Sequence, residues 1–145
     1  MEISTIGFTH KSAEQFFETL RHAGVQRLID VRLNNTSQLA AFTKRDDLKY
    51  FLRVLLSADY IHEKRLAPTA DALDAYRKGR MSWDDYEELY LRLLQQRRVE
   101  TVLPHSMFEV PVVLLCSEAE PEHCHRRLAA EYLAQRWPGI SVRHL

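Results

Sequence analysis

Two short apolar segments on either side of an amphipathic helix constrain the fold of this chain more than any other feature. Residues 2–8 and 27–31 are predicted to be strands, because each is short and rich in branched apolar side chains. Between them, Ser12 and Gln15 form a capping-box pattern, an apolar stripe at helical spacing follows, and Gly24 ends the helix. This order predicts two parallel strands joined by a right-handed crossover.

The rest of the chain continues to alternate helices and strands. Apolar spacing predicts a helix over residues 48–55, a strand at 59–62, and helices capped by Thr69 and Ser82. A fully buried strand is expected at 112–115, then a helix from Pro121 to Gly139 and a last strand at 140–145, while 99–109 are predicted to be irregular. The pattern predicts a three-layer, Rossmann-like α/β fold with a mainly parallel sheet. Its helices between 69 and 98 form an insertion that covers one end of the sheet.

Length and composition favour one globular α/β domain over residues 1–145. A chain of 145 residues with 46% hydrophobic residues can bury one core but not two. Its 20 basic and 20 acidic residues cancel, so overall charge does not indicate nucleic-acid binding. Two cysteines, no signal-peptide pattern and no long apolar run predict a cytoplasmic protein that does not enter membranes. The isolated glycines argue against a dinucleotide fingerprint or a Walker-type phosphate loop.

The densest group of reactive side chains lies at a strand-to-helix turn. An apolar run ends in Cys116, and the second cysteine, Cys124, stands beside His125 and Arg126 where a helix is expected. Free N–H groups at a helix N-terminus favour a thiolate, and the arginine adds positive charge. Each residue also has a plain structural interpretation, because buried cysteines are often inert and charged residues often face solvent. Their coincidence at one turn favours a functional site.

Polar side chains also follow the two earlier strands. Thr9 and His10 come after the first strand, and Asp30 and Arg32 come at the end of the second. Asp30 and Arg32 point to the same side of the strand, so they belong either to the site or to a structural ion pair. If these strands are neighbours of the later one, their carboxyl ends share one crevice. The predicted catalytic residues are Cys116, Cys124, His125, Glu118, His10 and Asp30, and the predicted substrate-binding residues are Arg32, Arg126, Thr9, Asn34, Ser37 and Lys44.

The first functional hypothesis is an enzyme that uses a cysteine as nucleophile. Cys116 or Cys124 would attack, His125 or His10 would carry the proton, and arginines would bind an anionic substrate such as a nucleotide or nucleic acid. The separation of cysteine and arginine does not match the phosphatase loop. No cofactor and no oligomeric state are predicted.

Three further hypotheses use the same residues differently. A metal centre would bind zinc or iron through Cys116, Cys124 and His125, with a fourth ligand from His10, His123, Asp30 or Glu118. A binding module without catalysis would take a nucleotide or nucleic acid between walls formed by the polar loop at 33–45 and the inserted helices. A redox sensor would form a disulfide between the two cysteines.

Several motifs together carry a family resemblance. They are TIGFTHKS at 5–12, IDVR at 29–32, NNTS at 34–37, Phe42 with Lys44, LAPT at 66–69, LLCSE at 114–118 and PEHCHR at 121–126. With these motifs the chain resembles, over essentially its whole length, the family known as domain of unknown function 488. Many members carry a proline after the Asp-Val-Arg strand and a double glycine later, which this chain lacks, so it resembles a particular branch. The resemblance implies an α/β fold and a site around His10, Asp30, Arg32, Cys116, Glu118, Cys124, His125 and Arg126.

Overall fold

A five-stranded sheet in which every strand is parallel to its neighbours forms the centre of the protein. The computed structural model describes all 145 residues. The strands are β1 (Glu2–Gly7), β2 (Arg27–Asp30), β3 (Asp59–His62), β4 (Val112–Cys116) and β5 (Ser141–His144). Their order across the sheet is β3-β2-β4-β1-β5. The predicted strands are confirmed, and the sheet is parallel throughout.

Helices flank the sheet on both faces. They are α1 (Ala13–His22), α2 (Arg45–Leu56), α3 (Ala70–Arg77), α4 (Trp83–Arg97), α5 (Val99–Val102) and α6 (His125–Arg136). The capping box of α1 is formed as predicted, with Ser12 N–H donating to Gln15 Oε1 (2.9 Å) and Gln15 N–H donating to Ser12 Oγ (3.1 Å). Thr69 and Ser82 cap α3 and α4. No helix combines the length and apolar character needed to cross a bilayer.

The position of β4 between β1 and β2 divides the helices between the two faces. The chain crosses the sheet in one direction from β1 to β3 and in the opposite direction from β3 to β5. Right-handed crossovers therefore place α1 and α2 on one face and the later helices on the other. The apolar clusters agree, because Leu28 and Leu115 pack with α1 and α2, whereas Ile29 and Leu114 pack with α4 and α6. The result is the predicted three-layer fold.

Two local predictions are wrong. Residues 99–109 are not irregular, because they contain α5 and a 3₁₀ turn at His105–Phe108. Helix α6 begins at His125 rather than at Pro121, because Cys124 is extended and its N–H closes a turn on the Pro121 carbonyl. The same helix ends at Arg136, before Gly139, because Pro138 disfavours helical backbone at the residue before it.

The inserted helices α3 and α4 lie on the face that carries α6. Helix α4 packs against α6, and α3 packs against α4. The Tyr90 hydroxyl ties α4 to the loop after β3 by donating to the Leu66 carbonyl at 2.6 Å. Side chains from both inserted helices thereby reach the carboxyl end of β4.

Candidate functional site

The carboxyl end of β4 lies at a change in the direction of the chain connections. β4 pairs with β1 on one side and with β2 on the other. The chain leaves β1 and β2 toward one face of the sheet and leaves β4 toward the opposite face. Such a switch opens a crevice at the strand ends, where open α/β proteins bind their ligands. Cys116 is the last residue of β4, so it lies at the floor of this crevice.

Three of the predicted side chains meet there. Cys116 ends β4, Cys124 is the N-cap residue of α6, and His125 is the first residue of α6. The two sulfur atoms and an imidazole nitrogen all lie within 4.8 Å of one another, and all three residues are buried. The loop between β4 and α6 folds back on itself, which brings the helix start over the strand end.

A backbone carbonyl orients the His125 ring. Its Nε2 lies 2.8 Å from the Val31 carbonyl oxygen. A carbonyl only accepts hydrogen bonds, so this nitrogen carries the hydrogen. The Cys116 sulfur lies 3.4 Å from Nδ1 and 3.8 Å from Nε2, so it sits beside the ring between the two nitrogens and off the axis of the Nδ1 lone pair. Nδ1 is the free basic nitrogen nearest the thiol, and a small movement of the Cys116 side chain would align the two for proton transfer.

The two cysteines have different environments. Burial raises the pKa of Cys116, but a hydrogen bond from Cys124 and the charge of Arg126 act in the opposite direction. The N–H groups of Ser117 and Glu118 also favour the thiolate, so the pKa of Cys116 falls below its ordinary value. Burial and the neighbouring Cys116 raise the pKa of Cys124 well above its ordinary value. Cys116 is therefore the cysteine that ionises first, with the Cys124 sulfur within 4.8 Å of it.

Arg126 is a fully buried cation without a carboxylate partner. Its Nη1 donates to the Glu118 carbonyl at 2.5 Å and its Nη2 donates to the Ala119 carbonyl at 3.3 Å. Its Nε is buried and has no partner. Arg126, which was predicted to bind substrate, is thus engaged with the loop after β4 while its charge favours a thiolate at Cys116.

Gly7 gives this loop its path. A Cβ atom at Gly7 would lie 1.6 Å from the Glu118 carbonyl oxygen and 2.9 Å from Arg126 Nη1. The loop backbone therefore crosses the end of β1 at a distance that only glycine permits. Thr9 extends the contact, because its N–H and its hydroxyl both donate to the Ser117 carbonyl, at 3.2 and 2.5 Å.

Asp30 and Arg32 lie on the opposite face of the sheet from Cys116. Side chains alternate along a strand, so Asp30 faces the α1–α2 side with Leu28. Arg32 donates to both carboxylate oxygens of Asp30 at 2.8 Å, and both residues are buried. The sequence left open whether Asp30 and Arg32 belong to the site or form a structural ion pair, and in the structure they form the ion pair.

A hydrogen-bond network completes this pair. Arg32 also donates to the hydroxyl and carbonyl oxygens of Thr43, at 3.0 and 2.7 Å. The Tyr60 hydroxyl donates to Asp30 Oδ2 at 2.6 Å, and the Asn35 amide reaches both groups. Burial raises the pKa of Asp30, but Arg32 and Tyr60 outweigh burial and hold this pKa below its ordinary value.

The remaining predicted residues do not line the cavity at Cys116, with the exception of Glu118. His10 is exposed, with a positive φ of 64°, and lines an outer groove. Asn34 is exposed, Ser37 caps a 3₁₀ turn, and Lys44 pairs with Asp47 at 3.6 Å. The structure thus brings together the cysteines, His125 and Arg126, but not the polar loop after β2.

Sequence reasoning expected the inserted helices to cover one end of the sheet, but it did not identify the side chains that they bring to the cavity. The space beside Cys116, Cys124 and His125 has a volume of about 30 Å³, room for roughly one water molecule. Side chains of α3 and α4 complete its lining; they include Tyr76, Arg77, Trp83 and Tyr86. Tyr86 on α4 is buried, but its hydroxyl has no hydrogen-bond partner. Periodicity reports burial and gives no signal of an unpaired hydroxyl.

A model of one protein family matches most of the chain. The family is described as Domain of unknown function DUF488, and the match covers residues 12–133. This range includes the cysteines, His125 and Arg126. Comparisons with curated proteins and with solved structures found no match.

Proposed function

The chain belongs to the DUF488 family, whose description names no reaction, and we propose that it is a cysteine-dependent enzyme with Cys116 as nucleophile. One observation carries the proposal: the Cys116 sulfur lies 3.4 Å from His125 Nδ1 at the carboxyl end of the central strand. Nucleophilic catalysis needs a base within reach of the nucleophile and a third group that orients the base. The Val31 carbonyl is that third group.

The proposed reaction has two steps: Cys116 attacks the substrate, and the covalent intermediate is then released. His125 Nδ1 takes the thiol proton, and the Cys116 sulfur forms a bond to an electrophilic carbon of the substrate. The leaving group departs with its bonding electrons and takes the proton from His125. Water or a second substrate then attacks the same carbon and gives a proton to His125, the carbon–sulfur bond breaks with its electrons on sulfur, and the proton returns from His125 to Cys116. Cys124 and Arg126 favour the thiolate before the attack.

We expect Cys116 to react with iodoacetamide at lower pH than an ordinary cysteine. The alkylation rate follows the thiolate fraction, so its midpoint should lie below the ordinary cysteine pKa of about 8.5. Cys124→Ala removes a hydrogen bond to the thiolate and should move the midpoint upward. Peptide mass spectrometry at each pH assigns the reaction to one cysteine.

The same chain unfolded in urea is the control, because both cysteines then ionise as ordinary thiols. A Cys116 midpoint at or above that of the unfolded chain would contradict the proposal. Faster alkylation of Cys124 than of Cys116 would assign the roles in the opposite way.

A zinc centre is the second candidate, and the ligand set favours it. Two thiolates and one imidazole lie close enough together for one ion to contact all three. A second ring nitrogen bound to a backbone carbonyl, as in His125, is typical of metal-ligating histidines. Three protein ligands with an open fourth position are the pattern of catalytic zinc, which activates a water molecule.

Metal analysis separates the two candidates. For the thiol enzyme we expect far less than one zinc per chain after purification without a metal-affinity column, with no uptake on titration. Near one equivalent of zinc, lost in Cys116→Ser and in His125→Ala, would replace the first proposal by the second. His123→Ala is the matched control, because His123 lines the cavity but lies outside the ligand cluster.

A further inference from the structure

The cavity beside Cys116 is lined by two hydrogen-bond donors that have no protein partner. The Tyr86 side chain is 2% exposed, and its hydroxyl makes no hydrogen bond. Arg77, the last residue of α3, lines the same cavity, and its side chain makes no hydrogen bond and no ion pair. A buried hydroxyl without a partner carries a desolvation cost that a bound group would remove.

The other arginines proposed from the sequence are already engaged. Arg32 pairs with Asp30 on the opposite face of the sheet. Arg126 donates to loop carbonyls from a fully buried position and does not line the cavity. Arg77, whose exposed side chain lies at the mouth of the cavity, is therefore the cation that this cavity offers to a ligand.

The cavity suits a small, singly charged anion. Its volume of about 30 Å³ admits one oxygen of an anionic group, so the rest of the group stays at the mouth of the cavity beside the exposed Arg77. Glu118 lines the same cavity without pairing with Arg77, so its negative charge repels a doubly charged group more than a singly charged one. A flat carboxylate fits these constraints better than a tetrahedral phosphate.

We propose that Arg77 and Tyr86 form an anion subsite that receives a carboxylate group of the substrate beside the Cys116 sulfur. The guanidinium and the phenol each donate one hydrogen bond to the carboxylate oxygens. This inference rests on the proposed function, because it takes Cys116 as the reacting group. It assigns the α3–α4 insertion to substrate selection.

Two alkylating reagents that differ only in charge test the subsite. With iodoacetate and with iodoacetamide alike, the thiolate sulfur bonds to the CH₂ carbon and iodide leaves with the electron pair. Iodoacetate carries a carboxylate where iodoacetamide carries a neutral amide. We expect the iodoacetate-to-iodoacetamide rate ratio at Cys116 to exceed that of the unfolded chain by about tenfold.

Variants assign the preference to its residues. Arg77→Gln and Tyr86→Phe should each lower the ratio toward that of the unfolded chain; because both reagents react with the same sulfur, a change in thiolate reactivity cancels in the ratio. Arg80→Gln is the matched control, because Arg80 is exposed and does not line the cavity. Circular dichroism confirms that each variant is folded.

Competing ions test the choice of carboxylate. Acetate should slow alkylation by iodoacetate more than phosphate does at equal ionic strength. Stronger protection by phosphate would overturn the carboxylate assignment.

The outcomes separate this inference from the proposed function. Rapid iodoacetamide alkylation with a ratio equal to that of the unfolded chain would overturn the subsite and leave the nucleophile. If Cys116 reacts with neither reagent, the proposed nucleophile fails. In that case the subsite is tested by titrating the protein with acetate while monitoring the NMR signal of the Arg77 side chain. A signal that does not shift would overturn the subsite.

Discussion

Replacing Gly7 with alanine should impair both the stability of the protein and the reactivity of Cys116. The added Cβ would lie 1.6 Å from the Glu118 carbonyl oxygen, so the loop after β4 has to move. Backbone displacement of this kind costs about 3 kcal/mol. For a chain of this length the melting temperature should fall by about 10 °C. Moving the loop also withdraws the Ser117 and Glu118 N–H groups from the thiolate, so the alkylation midpoint should rise.

Gly24→Ala is the control for this substitution. A Cβ atom added at Gly24 would have no atom within 4 Å, so alanine causes no clash there. Because Gly24 has a φ of +69°, alanine still carries a backbone conformational cost of about 1 kcal/mol. Its alkylation midpoint should remain that of the wild type. Thermal unfolding and alkylation of both variants check the prediction. A Gly7 variant no less stable than the Gly24 variant would show that the loop has other paths.

Replacing Asp30 with alanine should have the largest effect on stability. The change leaves the buried Arg32 guanidinium without its counter-charge and removes the acceptor for Tyr60 and Asn35. Breaking a buried ion pair in this way costs about 3–5 kcal/mol. Asp59→Ala is the matched control, because Asp59 is exposed and its pair with Arg27 contributes at most about 1 kcal/mol. Urea unfolding of both variants should show this contrast, and equal losses would contradict it.

The same ion pair should give the protein an acid-sensitive component of stability. The pKa of Asp30 is lower in the folded protein than in the unfolded protein. In the unfolded protein it has the model-peptide value of about 3.9. The stabilisation is therefore fully present above about pH 4 and is lost as the pH falls through the folded pKa. In Asp30→Asn this component is absent, so the stability difference from wild type should shrink below about pH 4. A difference that widens there would contradict the assignment.

The order of elements and the position of the cysteines could be predicted from local patterns. Caps such as Ser12 act within one helical turn, and a buried strand that ends in Cys116 is recognisable from its apolar run. These features depend on neighbours in the sequence. For this reason the cluster of Cys116, Cys124 and His125 could be predicted from the sequence.

The other half of the site depends on contacts between distant segments. Asp30 and Arg32 lie at the carboxyl end of a strand, as Cys116 does. Only the direction in which the side chains of β2 point places this pair on the face of the sheet away from Cys116. Arg77 and Tyr86 reach the cavity because α3 and α4 pack over the β4 end. The sequence predicts that the inserted helices cover one end of the sheet, but it carries no signal of which of their side chains face Cys116.

The central place of β4 also governs when the site can form. β1 has no hydrogen-bonded partner among the strands that precede residue 112, and β2 has only β3. The first 111 residues therefore contain the parts of two unconnected half-sheets, and the strand that joins them is made late. Pairing of strands that are far apart in the sequence has a large entropic cost of loop closure. A ribosome must release most of the chain before Cys116, Cys124 and His125 can come together, so the nascent protein carries an unfinished sheet and no assembled cluster.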